Sequence, residues 1–322
     1  MRSASKFGLK LAAGFLFAAT ALTAHDARSD GTAAPRQVTP SGTGFQAVYG
    51  QLPPDQVEFI SSSDTIKSAA LSGAPTLVWE ALEHGEKVEC LDCIPIVGKL
   101  LYDSNAKTRE IAAWWLRRRM FGVFGPGEIY SQTINTLQTS ANPAFRADAA
   151  YALGEFFETP GIAACAQAVM TDTDATVRAA AASALGRLND DGSGALAAAL
   201  ADPDPSVALA SLASISRINT FSGVSSLAAV TSNPSSDVRR RALEVLDALD
   251  VSDSVDVVAA VAKNDTDAGV RAAACHALGT FGAATSADAN ATAILQALAK
   301  SDADVFVRDQ AQIALQRLTT SG

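Results

Sequence analysis

Histidine is nearly absent: His25, His84 and His276 are the only three in 322 residues. Cysteine is scarce as well, with four, and aromatic residues make up 6% of the chain. No arrangement of a nucleophile beside a base meets the demands of covalent or general acid–base catalysis. The chain therefore reads as no enzyme, with no cofactor and no metal site assigned. Positive charge is short too. Lysine and arginine total 25 against 34 acidic residues, a formal net charge of −9. That balance argues against nucleic acid and against an anionic membrane surface as partners. Long apolar runs are missing beyond the first two dozen residues, so no later segment is expected to insert stably in a membrane.

The start of the chain reads as a secretory signal over residues 1–24. Arg2, Lys6 and Lys10 are its basic part, and Leu11–Ala21 is an apolar run too short to span a bilayer. Without those three positive charges the net charge moves from −9 to −12. The expected location is periplasmic or extracellular. Residues 25–50, rich in Gly, Ser, Thr, Pro and Ala, read as a flexible linker. Residues 51–89 supply an N-terminal helical cap. Ser63 and Asp64 are expected to cap a helix over Thr65–Leu71, and Pro75 to open one that Gly85 ends.

What the chain has in quantity is repetition. The segment Thr173–Leu188 is an acidic turn, then Val-Arg, then a helix of small residues ending in leucine. Taking the arginine as position zero, Arg109, Arg146, Arg178, Ala208, Arg239, Arg271 and Arg308 follow one another at steps of 37, 32, 30, 31, 32 and 37 residues. Position +3 is always small and position +7 always aliphatic, from Ala112 and Leu116 to Ala311 and Leu315. That spacing places one packed face on an α-helix. A second apolar helix precedes each one, and the turn between them carries Asp and Pro. Such a hairpin cannot bury its own apolar face, whereas a stack of them can.

This pattern resembles HEAT repeats, in particular the short class first described in phycobilisome-lyase-type proteins, over roughly Cys90 to Thr319. The resemblance implies an all-α superhelix, a solenoid of about seven helical hairpins over residues 90–322. It implies that the turn Asp and the helix Arg cap and pair from one repeat to the next. Ala208 cannot make that contact, so a local weakening or bend is expected at the fourth repeat. Two relatives of the class carry chemistry. Deoxyhypusine-hydroxylase-like proteins hold iron through His-Glu pairs, and this chain has none. A bilin-lyase-like activity has no motif against it, but an expected secretion signal sits poorly with cytoplasmic pigment assembly.

Two places stand out from the repeat. Cys90 and Cys93 precede the first hairpin, with Pro95 in the first turn of its helix. Three readings stay open: a structural disulfide, a thiol-exchange or redox role, or a metal site that also uses His84. Ile94 follows Cys93, so this is no c-type haem attachment. Cys165 and Cys275 lie inside repeat helices and read as buried thiols. The second place is the helix expected over Ala106–Phe121, where Trp114, Trp115, Arg117, Arg118 and Arg119 form a basic, aromatic knot in an acidic chain. A glycine-rich turn, Phe121–Gly127, follows it and lacks the Gly-Lys-Ser/Thr ending of a phosphate loop. Positions +1 and +5 lie off the packed face and hold Glu110 and Trp114, then Ala147 and Tyr151. Trp114, Tyr151, Arg117, Arg118 and Glu110 are the candidate binding residues, since exposed aromatics beside arginines anchor interfaces. The alternative is that they pack under the glycine-rich turn or against the cap. The expected function is a non-catalytic scaffold for a protein or peptide partner.

Overall fold

The computed structural model describes residues 62–119, 121–122, 125–189, 192–218 and 221–320. The expected leader and linker, and the cap residues 51–61, lie outside the described residues. Two helices, α1 (Ser63–Ser72) and α2 (Pro75–His84), form the cap. Ser62 is the N-cap of α1: it holds an extended backbone and accepts from the Thr65 amide at 3.1 Å, so the helix begins two residues ahead of the expected Thr65. Pro75 opens α2 and Gly85 closes it.

Seven hairpins follow. They pair α3 (Ile94–Lys99) with α4 (Ala106–Arg117), α5 (Glu128–Thr139) with α6 (Pro143–Phe156), and α7 (Pro160–Thr171) with α8 (Ala175–Leu188). Next come α9 (Ser193–Ala199) with α10 (Pro205–Ile215), α11 (Val224–Val230) with α12 (Ser236–Ala248), and α13 (Val255–Asn264) with α14 (Ala268–Thr280). A short α15 (Ala283–Ala287) occupies the extra length of the last 37-residue step. The pair α16 (Ala289–Ser301) and α17 (Val305–Thr320) ends the stack. The protein is an all-helical solenoid apart from a ribbon of two-residue strands, β1 (Phe121–Gly122) and β2 (Gly125–Pro126).

The columns of the repeat are the columns of the core. Every +3 residue is fully buried, from Ala112 through Ser211 to Ala311, and so is every +7 residue up to Leu278. Leu315 is only partly buried, since among the described residues no helix packs over the last repeat. The closest approach of successive second helices lies one residue beyond the +7 column. A Cβ on Gly186 would sit 2.7 Å from the Ser214 Cα, and Gly154 and Gly279 meet Ala184 and Ala314 in the same way. At these three junctions a glycine at +8 faces a small residue at +6 of the next repeat, and the helices interlock at that point.

The turns are tied by a recurring clasp. In Arg178, Nε and Nη2 donate to both oxygens of Asp202 at 2.7 and 2.9 Å, while Nη1 donates to the carbonyl of Asp172 at 3.0 Å. Arg146 with Asp172, Arg239 with Asp265 and Arg271 with Asp302 repeat that geometry. The same Asp accepts from the amide two residues on, as Asp172 does from Asp174 at 2.9 Å. Asp174 in turn caps α8 through the Thr176 amide. Each Asp-x-Asp turn thus uses its first carboxylate for the repeat before it and its second for its own helix. Arg109 departs from the series and pairs with Asp148 at 2.9 Å. The fourth repeat lacks both halves: Ala208 stands for the arginine and Asn233 for the aspartate. Asn233 still caps its turn through the Ser235 amide at 2.9 Å. There α10 and α12 make the sparsest contact of any two successive second helices.

The helix α4 stops at Arg117 instead of reaching the expected Phe121. Arg119 is drawn sideways: its guanidinium lies 3.8 Å from the centre of the Trp115 ring and donates to the carbonyls of Gly85, Glu86 and Val88. The Trp115 indole N–H donates to the same Gly85 carbonyl at 3.1 Å. Burial lowers the Arg119 pKa; Glu89 opposes that shift and Arg118 adds to it. This staple joins the cap to the first repeat, and the paired strands then turn the chain out of the helix.

Removing one arm of a clasp leaves a half-buried aspartate without its cation. Arg178→Ala is expected to cost about 2–3 kcal/mol in chemical denaturation. A loss under ~0.5 kcal/mol would show that the clasp is ornamental. Asp202 is held below its ordinary pKa by the Arg178 hydrogen bonds, which outweigh burial, and Asp302 by Arg271 in the same way. For Asp172 and Asp265 burial is the largest influence and pulls upward, and the Arg146 or Arg239 bonds together with the amide of Asp174 or Asp267 outweigh it. Folded values below the unfolded one give stability that is present above about pH 4 and is lost as pH falls through the folded values. Helicity followed by circular dichroism is expected to be flat from neutral pH to about pH 5 and to fall in more acidic solution.

Candidate functional site

The knot that the sequence groups together is split by the fold. Trp115 is fully buried and Arg119 serves the staple, so neither is available to a partner. Trp114, one residue away, is partly buried and packs against the edge of the core. The Arg118 guanidinium lies 5.6 Å from its ring centre and is ion-paired with Glu86 of the cap. On the preceding turn of α4, Glu110 pairs with Lys107 at 2.7 Å, and Lys107 lies 5.6 Å from the Trp79 ring of α2. Trp79 donates from its indole N–H to Glu83 at 3.1 Å.

Tyr151, at the same repeat position on α6, is partly buried beside Arg187 of α8. The guanidinium sits 5.2 Å from the ring centre and forms an ion pair with Glu155. Burial raises the Tyr151 pKa; Arg187 opposes the shift, and Glu110 on α4 adds to it. That influence puts Glu110 and Tyr151 in one neighbourhood, as the shared +1 and +5 face predicts. Arg117 points to a residue of the next repeat, with its guanidinium 5.0 Å from the centre of the half-exposed Phe157 ring. Four of the five candidate residues lie on α4 or α6 and Arg118 directly follows α4, each against a charged or aromatic neighbour.

Sequence reasoning missed Trp79, Lys107, Glu86, Glu155, Phe157 and Arg187. The signal for Arg187 was present: it stands at +9, one turn beyond +5, the position that Arg118 and Glu155 also occupy. The signal for Phe157 lay in its column, since position +11 holds Asn189, Asp250 and Gly282 in other repeats.

The remaining chemistry-bearing residues are dispersed. The sulfurs of Cys90 and Cys93 lie at bonding distance, 2.00 Å, and both residues are buried. Among the described residues no group of three or more His, Cys, Asp or Glu side chains is placed to hold a metal, so His84 does not complete a ligand set with the cysteines. Burial pushes the thiols of Cys165 and Cys275 up to about 12. His276 lies 3.6 Å from Asp247 at an open hollow of about 270 Å³, which Arg240, Glu244 and the exposed Phe306 also border.

Comparison with solved structures finds the same architecture. The Escherichia coli protein YibA superposes with a TM-score of 0.52 at 16% identity, over 87% of this chain and 98% of that one. Kap95, solved in complex with Nup1, gives 0.59 at 14% identity, over 86% of this chain and 43% of that one. The CpcE–CpcF phycocyanin lyase of Nostoc sp. PCC7120 gives 0.38 at 20% identity, over 71% and 94% of the respective chains, too low to carry an argument. Identities this low speak to fold alone. A sequence search among curated proteins found no match. The sequence profile for HEAT repeats matches residues 130–216 and 224–316. With more than half of its length matched, the chain belongs to the HEAT-repeat family.

Proposed function

We propose that this protein is a non-catalytic scaffold that binds a protein or peptide in the periplasm or outside the cell. The observation that carries the reading is the row of cation–aromatic contacts on the non-core faces of successive repeats: Lys107 with Trp79, Arg118 with Trp114, Arg117 with Phe157 and Arg187 with Tyr151. In a chain poor in aromatics, Trp114, Tyr151 and Phe157 stay partly or half exposed beside arginines, and aromatic residues and arginine dominate binding hot spots. Held ion pairs pre-order those side chains and lower the entropy cost of binding. The basic, apolar start of the chain supports export. A disulfide between Cys90 and Cys93 suits an oxidising compartment. Their burial counts against thiol exchange, which needs an accessible sulfur.

Affinity capture from periplasmic and culture-supernatant fractions tests the reading. The mature protein is expected to retain a partner that a Trp114→Ala/Tyr151→Ala variant of equal helicity loses. No partner for either protein would remove the scaffold reading. Cys90→Ser/Cys93→Ser is expected to lose about 2 kcal/mol of stability and to keep full capture. Loss of capture with the fold intact would move the function to the sulfurs.

A further inference from the structure

The residue after α6 is out of keeping with its column. Position +11 has a positive φ in four repeats: 56° at Phe157, 48° at Asn189, 49° at Asp250 and 49° at Gly282. Glycine adopts that region freely and Asn and Asp tolerate it, whereas a bulky aromatic residue is strained there. The conformation follows the helix end in all four repeats, so it is the choice of phenylalanine for it that stands out. Phe156, one residue earlier, is 1% exposed and stacks on Tyr130 at 5.9 Å, while Phe157 is 50% exposed. A large apolar ring kept exposed at a position that costs it backbone strain, where other repeats use Asn, Asp or Gly, points to function.

Arg117 completes the feature. Its guanidinium lies over the Phe157 ring at 5.0 Å, and among the described residues it forms no ion pair. Its neighbours differ: Arg118 is paired with Glu86, Arg187 with Glu155 and Arg109 with Asp148. An arginine seated on an aromatic face and unspent on a carboxylate keeps its planar donor fork open to a ligand.

We propose that Phe157 and Arg117 form a docking point for a peptide segment that carries a carboxylate next to an aromatic or aliphatic side chain. The carboxylate takes the fork of Arg117, and the apolar side chain lies on the Phe157 ring. One unpaired cation beside one ring matches a single carboxylate with an apolar neighbour. A polyanion such as nucleic acid would meet repulsion from the acidic remainder of the chain. This assignment rests on the scaffold reading and narrows its partner.

A random peptide library displayed on phage and panned on the full mature chain tests it. Enriched sequences are expected to place Asp or Glu beside a large apolar residue. A synthetic peptide of the enriched sequence is expected to bind about tenfold or more weakly when its acids are changed to amides, a loss in the range of one charge-assisted contact. Arg117→Gln and Phe157→Asn are expected to weaken it to a similar degree. Phe157→Asn is also expected to melt about 1–3 °C higher than the parent, because Asn relieves the backbone. Enriched peptides that keep their affinity after the amide exchange, or on both variants, would overturn the assignment while leaving the scaffold reading in place. A lower melting temperature for Phe157→Asn, with binding retained, would make Phe157 a packing residue. A library that enriches nothing would remove the scaffold reading, and this assignment with it.

Discussion

One guanidinium held between two turns is the interaction on which the stack depends. A helical hairpin of this size buries too little surface to stand alone, so each repeat must be registered on the next. Arg178 does so with one side chain. Two donors reach the carboxylate of the following turn, and a third closes its own preceding turn. The Asp receiving it also braces the turn that caps the next helix. Local capping and long-range registration are therefore one hydrogen-bonded unit, and neither partner can be lost without stranding the other. The interlock of Gly186 on Ser214 works at the other end of the same helices and sets how closely they approach.

The unit is not uniform along the chain. It is complete between the second and third, third and fourth, fifth and sixth, and sixth and seventh hairpins. Between the fourth and fifth, Ala208 and Asn233 replace both partners together, so no charge is left stranded, but no clasp remains either. The contact of α10 with α12 is thin at the same junction, and the match to the repeat profile breaks between residues 216 and 224. The solenoid is thus two clasped blocks joined by an unclasped step. The aromatic and cationic face lies on the N-terminal side of that step, where the Arg109–Asp148 pair ties the first hairpin to the second and the Arg119–Trp115 staple ties the cap to the first. Rigidity there has a physical use, since pre-ordered side chains spend less entropy on binding.

Much of this was legible in the sequence because the repeat is a periodic object. The Val-Arg column, the small +3 column and the aliphatic +7 column each map onto one physical role. Their agreement over seven copies specified the hairpins, the buried face and the weak fourth repeat. The first repeat was read less well because its partners are not periodic. Nothing local to Arg117, Arg118 and Arg119 says that the first turns to Phe157, the second to Glu86 and the third to the carbonyls around Gly85. Those partners lie some thirty or more residues away, and three adjacent arginines on a helix end fan out in three directions. The end of α4 was missed for the same reason, since the pull on Arg119 comes from the cap. Phe157 is not legible from the core columns, because its position lies beyond the last buried one.

A double-mutant cycle on Arg178 and Asp202 measures the central interaction most directly. Denaturation of the parent, Arg178→Ala, Asp202→Ala and the double variant isolates the coupling between the two side chains. The clasp account predicts a coupling of about 1.5–3 kcal/mol, with the double variant less damaged than the sum of the singles. A coupling within about 0.5 kcal/mol of zero would contradict it, and would leave burial along the +3 and +7 columns as the sole basis of the stack.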